Sequence, residues 1–163
     1  MKNYILDKET AARKLERMAY EIVENNLGEE AIILAGIRVS GSVVARCIDQ
    51  LLKKISSIPT QLITLTLDKR MPGEVTVSHP MDFGNKVIIV IDDVANSGKT
   101  MLYAMKPFLL FHPKKIQTLA LVERTHKAFP VKNDYVGLSV ATTLQEHIYV
   151  ETEGDQVLGA WME

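Results

Sequence analysis

The chain has 163 residues, 47% apolar and 24% charged, which suits a globular protein with one sizeable core. A net charge of −1, with no long run of one sign, argues against strong nonspecific nucleic-acid binding. No apolar run reaches the roughly 18 residues of a spanning helix, the N-terminal MKNYILDKET lacks the apolar core of a secretory signal, and the lone Cys47 allows no internal disulfide. These features predict a reducing, cytoplasmic setting with no membrane partner.

In chain order, Leu6–Asn26 reads as an amphipathic helix. Ala11, Leu15, Met18, Ala19, Ile22 and Val23 share one face, Asp7 is placed to cap it and Gly28 to stop it. Ala31–Gly36 reads as a buried strand, Gly41–Ile55 as a helix with Cys47 in its core stretch, and Thr60–Leu67 as a β-branched strand. Asp68–Lys86 breaks periodicity with two prolines and two glycines, and predicts a short β-ribbon or a mobile loop. Val87–Ile91 is a continuous β-branched run, the mark of a strand buried on both faces. A helix follows from Lys99, must kink or restart at Pro107 and ends at His112-Pro113. Lys115–Glu123, Tyr135–Thr142 and His147–Glu151 read as further strands. Strands alternating with helices predict a three-layer α/β fold around a mostly parallel sheet, with residues 1–163 as one domain.

The chemistry concentrates in VIIVIDDVANSGKT, Val87–Thr100. Its Gly98-Lys99-Thr100 ending suggests a nucleotide-binding P-loop, but the first glycine of that motif would fall on Asp93. A carboxylate there would face the phosphates. The alternative is a loop of small residues opening a helix, whose free N–H groups suit a phosphate monoester. Thr100 adds a hydroxyl. Asp92 and Asp93, at the carboxyl end of the strand, suit sugar hydroxyls or Mg²⁺. Groups in such a crevice are expected to be exposed before a ligand binds. A ribose 5-phosphate fits the pair of sites; the plain alternative is a solvated acidic turn before a helix. A second loop, GIRVSG (Gly36–Gly41), also joins a strand to a helix, and its Arg38 and Ser40 suit a second anion.

Val87–Thr100 resembles the phosphoribosyl-pyrophosphate (PRPP) motif of the type I phosphoribosyltransferases. LVERTHKAFPVKNDYVG (Leu121–Gly137) and the first helix are similar to the bifunctional pyrimidine operon attenuation protein/uracil phosphoribosyltransferase family. The resemblance implies that family's three-layer fold with a small hood or lid, and transfer of a phosphoribosyl group from PRPP to a nucleobase, uracil first and a purine as the alternative. It implies Mg²⁺ as cofactor and an assembly of two or more copies. Asp92 and Asp93 would take the ribose hydroxyls and the metal. Ala95, Asn96, Ser97, Gly98, Lys99 and Thr100 would hold the 5-phosphate, and Arg38, Val39, Ser40 and Gly41 the pyrophosphate. Lys69 and Arg70 are lid candidates. Arg124 is a base-site candidate, in a basic turn with His126 and Lys127 that also reads as a solvated turn. The chain departs from the family in a shorter Leu67–Val87 segment. It also has Glu16 and Tyr20 where RNA-binding members carry Thr and His. A carboxylate facing RNA phosphate is unfavourable, so RNA binding is disfavoured.

Overall fold

Asp7 caps the first helix as its position suggests. Its carboxylate accepts the Thr10 N–H at 2.7 Å, starting α1 (Lys8–Asn25). The computed structural model describes residues 1–143 and 145–163. Ahead of α1 lies a strand, β1 (Asn3–Leu6), whose first three residues the sequence reading had left unassigned.

Five strands form the parallel part of the main sheet: β2 (Ile32–Ile37), β3 (Thr60–Thr66), β5 (Val87–Ala95), β6 (Lys115–Arg124) and β7 (Tyr135–Val140). A two-residue strand, β4 (Thr76–Val77), runs antiparallel on the edge of β3, so the segment after β3 forms the short ribbon. The order is β4-β3-β2-β5-β6-β7. The chain leaves β2 towards β3 and returns to add β5 on the other side of β2. That reversal opens a crevice at the carboxyl ends of β2 and β5, where open α/β sheets bind ligands.

Alternate residues of the central strands feed two cores. Ile32, Leu34, Ile89 and Ile91 pack with α1 and α2 (Ser40–Ile55). Ile33, Ala35, Ile88 and Val90 pack with α3 (Lys99–Ala104) and α4 (Lys106–Leu109). The three layers are therefore α1 and α2, the sheet, and α3 and α4. Pro107 stands in the first turn of α4, so the helical segment restarts there. Phe83 is buried edge-on against Phe108 at 4.8 Å, which anchors the irregular segment before β5.

A second, antiparallel sheet has the order β1-β9-β8, with β8 (Ile148–Glu153) and β9 (Gln156–Met162) joined through Gly154-Asp155. Gly154 has φ +58°, as a tight hairpin turn requires. Leu6, Ile148, Val157 and Ala160 join the α1/α2 core, so this sheet is packed onto the main body. Cys47 is half-buried at its edge, its Sγ 3.3 Å from the Asp155 carbonyl oxygen.

No helix among the described residues is long and apolar enough to cross a membrane.

Candidate active site

The crevice brings together the two loops singled out in the sequence. After β2 the chain turns through Arg38 and Val39, both exposed, and Ser40 opens α2. Gly41 lies against the neighbouring strand. An added Cβ would stand 2.9 Å from the Ile91 carbonyl oxygen and 3.0 Å from Asp92 Oδ1. Real Cβ atoms do not approach backbone that closely, so a glycine lets the first loop touch the acidic pair.

The acids are not exposed as expected. β5 continues past Ile91 through both of them, and Asp92 is only 2% accessible. Asp92 Oδ1 accepts the Asp93 N–H at 2.9 Å, and Asp93 Oδ1 accepts the Val94 N–H at 2.8 Å. Lys69 lies over the pair, with Nζ 3.2 Å from Asp92 Oδ1 and 3.8 Å from Asp93 Oδ1. Burial raises the Asp92 pKa well above the usual carboxylate value. The Asp93 charge adds to that rise, and Lys69 only partly offsets it. Burial alone would lower the Lys69 pKa, but the two carboxylates outweigh it and hold the ammonium above its ordinary value. Arg70, the other lid candidate, is exposed beside it.

Ala95 is still strand, in register with Glu123, so the loop proper is Asn96–Gly98. Gly98 has φ +86°, a conformation L side chains rarely adopt. A Cβ there would also stand 3.2 Å from the Phe129 carbonyl oxygen. The Ser97 carbonyl oxygen accepts the N–H groups of Ala128 and Phe129, both at 3.0 Å. The phosphate-type loop is thus braced from behind by residues 128–131, which the sequence reading had left unassigned. Lys69, Asp92 and Ala95–Thr100 line a cavity of about 190 Å³.

A larger cavity, about 530 Å³, meets the first at Asn96 and Ser97. Its other walls are Arg124–Ala128, without Thr125, and His147–Tyr149 at the start of β8. Arg124 lines it but directs its donors at the protein. Nε donates to Asn96 Oδ1 at 2.7 Å, Nη1 to the Thr143 carbonyl at 3.0 Å and to the Thr142 hydroxyl, and Nη2 to the Glu146 carbonyl. It therefore ties the phosphate-type loop to the segment leading into β8. Lys127 donates to Glu123 at 2.8 Å, so the basic turn is a bonded wall. Burial would raise the Glu123 pKa, but bonds from Lys127, Asn133 and Ser139 hold it below the usual value.

Among the described residues no group of three or more His, Cys, Asp or Glu is placed to bind a metal. Asp92 and Asp93 supply two carboxylates, and Mg²⁺ commonly takes one or two and completes its shell with substrate oxygens and water.

Residues 2–152 match the phosphoribosyl transferase domain family. The bifunctional PyrR protein of Oceanobacillus iheyensis is 38% identical over 168 residues, covering 95% of this chain and 93% of the relative. That of Enterococcus faecalis is 34% identical over 161 residues, covering 93% and 90%. A hypoxanthine phosphoribosyltransferase from Trypanosoma cruzi, solved as a ternary substrates complex, shares the fold with a TM-score of 0.79 at 13% identity, over 98% of this chain and 94% of that one. The chain belongs to the type I phosphoribosyltransferases, PRPP-dependent transferases. Within them it groups with the bifunctional PyrR proteins.

Three substitutions test how the loops are held. Gly98→Val strains a positive φ and crowds a Cβ to 3.2 Å from the Phe129 carbonyl oxygen. It is expected to abolish PRPP binding by calorimetry, whereas Thr100→Ala removes one hydroxyl and costs about 0.5–1.5 kcal/mol of binding. Arg124→Lys keeps the charge but loses the planar fork. It is expected to raise KM for both PRPP and the base about tenfold or more, as loss of 1.4 kcal/mol or more of positioning would.

Proposed function

We propose that the chain transfers the 5-phosphoribosyl group of PRPP to uracil, giving UMP and pyrophosphate. One observation carries this reading. Gly41 of one anion-suited loop lies against Asp92, Asp92 lines a cavity together with the other loop, and a second cavity opens from that second loop. PRPP has a matching set of groups: a 5-phosphate, ribose hydroxyls and a pyrophosphate.

In this reading Asn96–Thr100 holds the 5-phosphate, chiefly through backbone N–H groups. Asp92 and Asp93 accept the ribose hydroxyls and hold Mg²⁺. Arg38–Gly41 receives the pyrophosphate, where the exposed guanidinium and the start of α2 favour negative charge. Bound Mg²⁺ supplies charge neutralisation for the leaving group. The bond from the anomeric carbon to the pyrophosphate oxygen breaks as a ring nitrogen of the base bonds to that carbon, through an oxocarbenium-like state, and that nitrogen releases its proton to solvent. The protein needs no covalent nucleophile. Its work is alignment and electrostatic stabilisation.

The base is assigned to the cavity of about 530 Å³. Its size admits a pyrimidine or a purine. The similarity of Leu121–Gly137 to the uracil-using family favours uracil, and the hypoxanthine enzymes share only the fold. An RNA-binding role gains little from α1. Glu16 and Tyr20 are both exposed, and Arg17 on the same helix is paired with Glu21 at 2.5 Å.

The experiment is a panel of bases with PRPP and Mg²⁺. Uracil should turn over fastest. Preference for hypoxanthine or guanine reverses the base assignment, and turnover of none removes the catalytic one.

The acidic pair gives a sharper test. Asp92→Asn with Asp93→Asn keeps the shape and is expected to lower kcat/KM at least about 100-fold, in line with loss of electrostatic stabilisation. Stability should move the other way or not at all. A carboxylate whose pKa is raised on folding binds its proton more tightly when folded, so it subtracts stability as pH rises above the ordinary carboxylate value. Asp92→Asn alone should therefore flatten the fall in stability with rising pH, as read by urea unfolding between acid and neutral pH.

A further inference from the structure

Resting on the metal assignment above, we infer that Lys69 holds the cation position of the acidic pair in the free chain, and that a divalent metal loads by displacing it. Its Nζ is 3.2 and 3.4 Å from the two Asp92 oxygens and 3.8 Å from Asp93 Oδ1. It therefore spans the oxygens a metal would use. A metal on those oxygens and an ammonium in the same place would be two cations at about 4 Å or less, a strongly repulsive arrangement away from bulk water. One must leave.

The lysine is the one able to leave. Its side chain is 43% exposed, while that of Asp92 is 3% exposed. Its backbone belongs to a turn fixed by Asp68, whose carboxylate accepts the Arg70 and Met71 N–H groups at 2.9 and 3.3 Å. The ammonium therefore moves by rotation of a four-carbon stem, with no refolding of the segment.

Lys69 itself lines the cavity formed by Ala95–Thr100, so a displaced ammonium stays beside it. An anionic substrate entering there offers it a new partner. Substrate and metal then assist each other: the substrate draws Lys69 off the acids, and the metal frees Lys69 to meet the substrate. By linkage this coupling is reciprocal. Metal affinity of the free chain is held down, and PRPP raises it.

The test is Mn²⁺ titration followed by electron paramagnetic resonance at pH 8.5, with and without PRPP, in the wild type, Lys69→Met and Lys69→Arg. Lys69→Met should bind Mn²⁺ about tenfold more tightly than the wild type without PRPP, because the competing cation is gone. Lys69→Arg keeps the charge and should bind no more tightly than the wild type. PRPP should strengthen Mn²⁺ binding more in the wild type than in Lys69→Met. A second measurement uses only the wild-type chain: Mg²⁺ without PRPP should increase acetylation of Lys69 by acetic anhydride, read by mass spectrometry. Equal Mn²⁺ affinity in all three chains, or unchanged acetylation once Mg²⁺ is bound, overturns this inference alone. Absence of Mn²⁺ binding even with PRPP overturns the metal assignment and this inference with it.

Discussion

The contact between Gly41 and β5 is the constraint on which the site depends. The backbone after β2 passes so close to Ile91 and Asp92 that no side chain fits between them. This close approach puts the Arg38–Gly41 loop beside the acids. It also brings the start of α2 next to the end of β5, so two anion-suited features share one crevice. Parallel pairing sets the height, with Gly36 opposite Ile91. The order of strands then places the pair in the middle of the sheet, where the connections on either side run in opposite directions and leave the carboxyl ends uncovered.

The same closeness has an electrostatic consequence. Continuing β5 through Asp92 and Asp93 buries one carboxylate and half-buries the other. A buried carboxylate must have a cation or take up a proton. In the free chain Lys69 answers part of that need from the end of β3. The acids, the lysine and the glycine thus form one unit drawn from three strand ends. Holding this charge inside costs the fold, and strongly perturbed carboxylates of this kind cluster at functional sites.

Much of this was legible in the sequence because it is written locally. The β-branched run, the two acids and the small loop are contiguous, and their order alone separates them from a P-loop. Strand–helix alternation likewise indicated the sheet and its layers. What stayed hidden depends on distant residues. Whether Asp92 is exposed turns on Gly41 and Lys69, 51 and 23 positions away by the sequence numbering. The second sheet was missed for another reason. β1 has only four residues, of which the sequence reading assigned Leu6 alone, to the helix, and β9 carries two small residues, Gly159 and Ala160, that weaken its pattern. The Gly154-Asp155 turn was the available signal, since such a dipeptide between two short apolar runs marks a hairpin.

The contrast between the two cavities explains why the substrate class could be read and the base could not. The smaller one is nearly a single stretch of chain, Asp92 and Val94–Met101 with Lys69 added. A contiguous loop that binds phosphate through its backbone leaves a pattern of small residues in any sequence. The larger one is assembled from Asn96 and Ser97, the turn after β6 and the first residues of β8. Arg124 joins these pieces by bonding Asn96 on one side and Thr143 and Glu146 on the other. Two of its four partners are backbone carbonyls, which any residue supplies, so they carry no sequence signal. The smaller cavity is thus held by local chemistry, and the larger one by how Arg124 fastens remote segments to Asn96.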